Sequence, residues 1–391
     1  MADKKKSKRS LSILLGTLGC LALCLVIAII GVAFLSAQLR RPETQTVGPV
    51  PQPVVAITSQ TIDQVRELYR IPQSGYVYDV AWSPDGLILA SAMVGVGSVP
   101  GSVQLWDAVT GSKLRSFDQI SVYRLAFSPD GQMLAVAGDS SVIVWSVADG
   151  RELINIPTGY NGGRSVAFSP DSRMLAYELG ETVTLVEMPG GRGLNTLQHL
   201  SDVRGFEFLP DGKSLITAIG SGQNDDGSFP VYEIKFTVWD IESGRVVRTF
   251  TQPGDIGELG IAPDGKSLAA GINSDTLKIW DMTSGRDLQS FTGFRFGVPR
   301  FAFSPDGSVL GVGEGVGFEV ASPSGLRLFD VVSGGEVPML EGHKGVIFSV
   351  AFSPNGRLLA TASEDKTVRL WGVPPDINDL VTGGVLADLQ R

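Results

Sequence analysis

The sequence predicts an all-β fold, a seven-bladed β-propeller, preceded by one transmembrane α-helix. Three observations carry that prediction. A turn phrase of the Ser-Pro-Asp-Gly type recurs seven times along the chain. An alternating or fully apolar run, in most cases ending in Trp-Asp or a close variant, follows each turn. Residues 11–37, near the N-terminus, contain no charged side chain.

That uncharged run, "LSILLGTLGCLALCLVIAIIGVAFLSA", would make a helix of roughly 40 Å, enough to cross a bilayer with some tilt. A cleaved signal peptide is the rival, with Leu35-Ser36-Ala37 as its processing site. The apolar core of such a peptide is normally only about 7–15 residues, which favours a retained anchor. Lys4, Lys5, Lys6, Lys8 and Arg9 precede the run and only Arg40 and Arg41 follow it. The excess of basic residues on the N-terminal side places residues 1–10 in the cytoplasm and the remainder outside, as a single-pass protein of the cell membrane. Residues 38–60, with "PETQTVGPVPQP" among them, read as a Pro-rich extracytoplasmic linker.

Beyond Arg41 the chain carries 25 Lys/Arg against 40 Asp/Glu, a net of −15. Such a surface repels nucleic acid, so no nucleic-acid partner is expected. Both cysteines, Cys20 and Cys24, fall in the membrane segment. That leaves the outer domain without disulfide or thiol chemistry, and no His/Cys metal cluster is expected.

The turn prolines are Pro84, Pro129, Pro170, Pro210, Pro263, Pro305 and Pro354, spaced by 45, 41, 40, 53, 42 and 49 residues. A period in the forties, with short strands and turns, is the signature of propeller blades. The strand-like phrases are "VQLWD", "VIVWS", "TLVEM", "FTVWD", "LKIWD", "LRLFD" and "VRLWG". Six are followed by a Gly-containing turn toward a fourth strand; the last runs into "VPPD" (373–376), where two prolines oppose further pairing. The missing strand is expected at the other end. "VRELYRIP" (65–72) resembles "GRELINIP" (150–157), the fourth strand of the second blade. Residues 65–71 are therefore expected to close the seventh blade, within a propeller spanning 61–375, and 376–391 is left as a C-terminal tail.

With these phrases in place, the chain resembles the WD40-repeat family over about 65–372. The most faithful unit is "GHKGVIFSVAFSPNGRLLATASEDKTVRLW" (342–371). The resemblance implies a buried hydrogen-bond chain of His343, Ser363 (with Thr361 as the alternative), Asp365 and Trp371. His199, the other histidine, stands eleven residues before its turn proline, as His343 does. Both histidines thus fall at structural positions, which leaves a Ser-His-Asp nucleophile without a base; no catalytic residue, cofactor or metal is expected.

Turn-to-Trp spacings lengthen in blades one, four and six, placing insertions at Val94–Ser102, Gly220–Lys235 and Gly313–Gly325. In a four-stranded meander, these second-to-third loops share one face with the connections between blades. Arg124, Arg164, Arg204 and Arg300 stand five or six residues before a turn proline, near the channel mouth on that face. Tyr160, Phe229, Phe294, Phe296 and Phe318 lie in nearby loops. Arginine with aromatic residues is the composition of interface anchors. The alternative, that the arginines pair with acids such as Asp79 and Glu258, stays open.

The expected function is that of a noncatalytic, membrane-tethered interaction scaffold of bacterial type, whose partner is another protein or an envelope component. Two alternatives stand beside it. One is a propeller enzyme or small-ligand sensor using the central channel. The other is an envelope propeller similar to the Tol–Pal component, which shares the Ser-Pro-Asp-Gly turns.

Overall fold

The computed structural model describes residues 49–95, 100–118, 122–159, 165–220, 233–273, 275–294, 300–314 and 324–375. The expected membrane segment and the tail at 376–391 lie outside the described residues. Among the described residues, no helix is long and apolar enough to cross a membrane.

The strands pair into seven four-stranded antiparallel sheets. The innermost strands, which number the blades one to seven, are Tyr76–Trp82, Val122–Phe127, Val166–Phe168, Val203–Phe208, Ile256–Ile261, Arg300–Phe303 and Ile347–Phe352. Tyr76–Trp82 packs against the innermost strands of both blade two and blade seven, so the ring is closed. Apolar clusters fill the blade-to-blade interfaces: Ala135, Val142 and Val144 of blade two, for example, meet Val166, Leu175 and Tyr177 of blade three.

The repeated turn locks itself. In blade one, Ser83 Oγ donates to Asp85 Oδ1 at 2.6 Å and accepts the Ile88 amide at 2.8 Å. Asp85 Oδ1 also accepts the Leu87 amide at 2.9 Å, while Gly86 takes the left-handed conformation (φ 71°) that a side chain disfavours. The same Ser-to-Asp bond recurs at Ser128, Ser169 and Ser304, and Asn355 replaces the aspartate beside Ser353. Blades four and five carry Leu209 and Ala262 in place of the serine, yet Asp211 and Asp264 still accept the amides that follow, so the corner keeps its count.

Trp at the end of the third strand reaches diagonally across the sheet. Trp371 lies opposite Leu359, and its indole N–H donates to the hydroxyl two residues further on, Thr361, at 2.9 Å. Trp106 does the same to Ser91 and Trp239 to Thr217. In blade seven, Thr361 also bonds His343 Nε2 at 2.7 Å, and His343 Nδ1 meets Asp365 at 2.8 Å. The chain is thus Trp371–Thr361–His343–Asp365. Ser363, the residue expected in it, instead donates to the Gly345 carbonyl and accepts the Asp365 amide. The diagonal reach decides this: Ser363 stands four residues beyond Leu359, too far along the strand. Burial alone would raise the Asp365 carboxyl, yet His343, Thr367 and the Lys344 amide hold it well below the usual range. His199 occupies the matching place in blade four, buried edge-on against Trp239 at 5.1 Å between centroids.

Arg66–Pro72 pairs antiparallel with Thr367–Gly372, completing blade seven with the N-terminal end of the domain. Glu67 on this strand accepts from Arg369, a fully buried guanidinium that also reaches Asp365 at 3.4 Å.

Residues 49–60, the described part of the segment read as a linker over 38–60, lie against the propeller. The Val50 amide bonds the Val109 carbonyl and the Ile57 amide bonds the Gly356 carbonyl, both at 2.8 Å. Val50 packs with Trp82, Leu358 and Ala108. Ile57, 1% exposed, packs with Leu326, Leu359 and Trp371. Residues 50–64 form a strap across the turn-bearing face of blades one, seven and six. Proline hides this in the sequence, because the two anchoring side chains show no period.

Two outcomes follow for stability. Ile57→Ala should cost about 2–5 kcal/mol in denaturant unfolding, whereas Val54→Ala, at an exposed neighbour, should stay within about 0.5 kcal/mol; equal effects would return the strap to a spacer. Trp280 is fully buried and its indole N–H finds no partner, because Ala270 stands where blades one, four and seven carry Ser91, Thr217 and Thr361. Ala270→Ser should supply the acceptor and gain about 1 kcal/mol, and an unchanged unfolding midpoint would refute the missing bond.

Candidate functional site

Because the turns share one count of residues, the residue five before each turn proline falls at one level of the channel. Those seven residues are Asp79, Arg124, Ser165, Gly205, Glu258, Arg300 and Ser349. All seven line a single cavity of about 1070 Å³ at the centre of the ring.

Their pairing is specific. Asp79, 4% exposed, joins three blades: it accepts from Ser349 Oγ of blade seven at 2.6 Å and from the Leu125 amide of blade two at 2.7 Å. Arg124 Nη1 lies 3.9 Å from it. Arg124 then crosses the channel from blade two to hydrogen-bond Glu258 of blade five. Glu258 also takes Arg300 Nη1 at 3.3 Å and the Phe301 amide at 3.3 Å, both from blade six. Burial opposes charge on Glu258, but Arg124 and Arg300 hold its carboxyl below the usual range. Burial raises Asp79, against the pull of Arg124, Ser349 and the Leu125 amide.

Of the four arginines expected at the mouth, Arg124 and Arg300 are in this network, in accord with the pairing alternative. Arg204 is exposed and stands one residue earlier, at a β-bulge where the register skips from Val203 to Gly205. The bulge residues of blades one, two and seven are Tyr78, Tyr123 and Phe348. An extra, unpaired residue turns its side chain out of the ladder. Tyr78 stacks on Phe348 at 4.5 Å and meets Tyr123 edge-on at 6.4 Å. This aromatic rim was missed from sequence, although its signal is plain: an aromatic six residues before the turn proline in three blades. The sequence count grouped positions five and six, which point differently.

Phe294 corrects another expectation. It is 4% exposed, with the Arg327 guanidinium 4.5 Å over its ring and Phe329 beneath. Arg327 is itself held by Glu314 and Glu336, so Phe294 is a covered core residue rather than a contact. Tyr160, Arg164, Phe229, Phe296 and Phe318 lie outside the described residues. No group of three His, Cys, Asp or Glu with metal-binding geometry occurs among the described residues.

Three stretches match the model described as "WD domain, G-beta repeat": 65–107, 111–146 and 334–372. The chain carries WD40 repeats. Each matched WD40 stretch begins just before the outermost strand of one blade and ends in the third strand of the next, so the sequence repeat straddles two sheets. Among curated relatives, the guanine nucleotide-binding protein subunit beta of Oryza sativa subsp. japonica is 26% identical over 237 residues, 56% of this chain and 59% of the relative. The small ribosomal subunit protein RACK1 of Medicago sativa is 41% identical over 75 residues, 19% of this chain and 22% of the relative. The serine-threonine kinase receptor-associated protein of Gallus gallus is 20% identical over 215 residues, covering 54% and 58%. The chain thus spans less than two thirds of these relatives' length, and all three come from eukaryotes.

The network makes Arg124 a structural residue first. Arg124→Ala leaves Glu258 and Asp79 short of their cation and should cost about 3 kcal/mol, whereas Arg204→Ala should stay within about 0.5 kcal/mol. Denaturant midpoints of the two variants check this, and equal midpoints would sink it.

Proposed function

We propose that this protein is a noncatalytic interaction scaffold, tethered to a membrane by residues 11–37, that offers the loop-bearing face of its propeller to another protein. The observation that carries this is the rim of Phe348, Tyr78 and Tyr123, with exposed Arg204, on a rigid scaffold. Partly exposed aromatic and arginine side chains held on fixed strands lose little freedom on binding, which favours affinity. The insertions of blades one, four and six leave from the same ends of their sheets, and binding function concentrates in such loops. The strap occupies the opposite, turn-bearing face of the propeller.

Noncatalytic action fits the chemistry at hand. His199 and His343, the two histidines of the chain, are both buried in blade cores, where neither can serve as a base for an exposed nucleophile. The relatives are named as a subunit, a ribosomal subunit protein and a receptor-associated protein, each a component of something larger. A bacterial envelope component as the partner is a narrower form of the same proposal, with residues 1–10 cytoplasmic and the propeller outside.

Crosslinking in native membranes, with mass spectrometry of the captured partner, tests the scaffold. Tyr123→Ala combined with Arg204→Glu should reduce capture of a defined partner at least about tenfold, the scale of a hot-spot loss. Val332→Ser, on the turn-bearing face, should leave it unchanged. Capture that persists in the rim variant overturns the docking face. Loss of membrane association on deleting residues 1–48 checks the tether separately.

A further inference from the structure

Two residues below the charged level, three before each turn proline, the channel positions read Ala81, Ala126, Ala167, Glu207, Gly260, Ala302 and Ala351. Six are Ala or Gly. Glu207 alone brings a long and ionisable side chain to this level, and it lines the cavity together with Ala167, Gly260 and Ala302.

The level above it is asymmetric. The Arg124–Glu258 pair spans from blade two to blade five and divides the mouth. On one side lie blades three and four, whose residues at the upper level are Ser165 and Gly205. Both line the same cavity as Glu207, with Leu259 of blade five packed beside Gly205. Glu207 follows Gly205 by two positions on the same strand and therefore on the same face. Asp79 and Glu258 are saturated with donors, whereas no described residue hydrogen-bonds the Glu207 carboxylate.

We propose that the cavity beside Glu207 is a binding site for a primary alkylammonium group, with Glu207 as its carboxylate. Among the described residues the charge balance favours a cation: Asp79, Glu178, Asp202, Glu207 and Glu258 line the cavity against Arg124, Arg204 and Arg300. An ammonium is a compact charge on an alkyl stem, matched to a single carboxylate among methyl-lined walls. A divalent metal would require several ligands, and no such cluster exists among the described residues. Burial, and then the charge of Glu258, raise Glu207 to about 7 against the opposing pull of Arg124. A bound cation would reverse part of that rise, so binding should release a proton near neutral pH and strengthen as pH increases. The site stands whether or not the chain is membrane-tethered and whatever docks on the rim.

The cation has two sources, a free small amine or a lysine side chain of a protein, and two probes separate them. Full-length protein is titrated calorimetrically with n-butylammonium chloride, and separately with a blocked glycine-rich pentapeptide carrying one lysine. At least one probe should bind, with affinity rising about tenfold from pH 6 to pH 8 as Glu207 ionises. Glu207→Ala installs the residue that five other blades carry at this level, so it should fold with an unchanged or higher unfolding midpoint while losing the binding. Glu207→Gln should lose it as well. Tighter binding of butylammonium assigns a small amine, and tighter binding of the peptide assigns a protein side chain. If neither probe binds, if affinity is flat with pH, or if Glu207→Ala binds as the native protein does, the proposal is overturned.

Discussion

A serine hydroxyl and an aspartate carboxylate lock the corner between the first and second strands of most blades. Where Leu209 and Ala262 replace the serine, Asp211 and Asp264 still accept the following amides, and the rest of the molecule depends on this shared corner. A corner of fixed geometry makes residue counts equivalent from blade to blade, so that side chains far apart in sequence reach the channel at one level. Asp79 and Ser349 are 270 residues apart and share a hydrogen bond. Arg124 and Glu258 meet across the channel because each stands five residues before its own turn proline. Without a common register, seven unrelated side chains could not form one network.

The same register separates structure from opportunity. Charged groups at the upper level of the channel are consumed by one another, and their removal would be felt as instability before it was felt as lost binding. One position earlier, the bulge turns Tyr78, Tyr123, Arg204 and Phe348 out of the ladder. Two positions later, Glu207 lines the cavity at a level where the other blades carry Ala or Gly. Three neighbouring positions on one strand type therefore serve three purposes, which composition alone does not distinguish.

What could be read in advance follows from where each signal lies. The blades were legible because each carries its own phrase, and strand 65–71 because it copies 150–157. The strap was not, since Val50 and Ile57 are isolated apolar residues in a segment dominated by Pro, Thr and Gln. Choosing between Thr361 and Ser363 required the pairing of Leu359 with Trp371, a register that no single strand records. Phe294 looked like a loop aromatic because its cover, Arg327, comes from the next blade. Glu207 was visible all along as "EFLPDG" where other blades read "AFSPDG", but its meaning depends on knowing that the position faces a channel.

Closure through Arg66–Pro72 also sets an order of events at the ribosome. This strand is among the first parts of the domain to be made, and its partner Thr367–Gly372 is the last. At synthesis rates of about 5–20 residues per second, the strand waits on the order of 15–60 seconds for its ladder. During that interval six blades can fold in sequence while strand Arg66–Pro72 keeps an unpaired edge. The ring is thus completed in a single late step, and a chain cut short before residue 367 would present an open ladder to any neighbour able to pair with it.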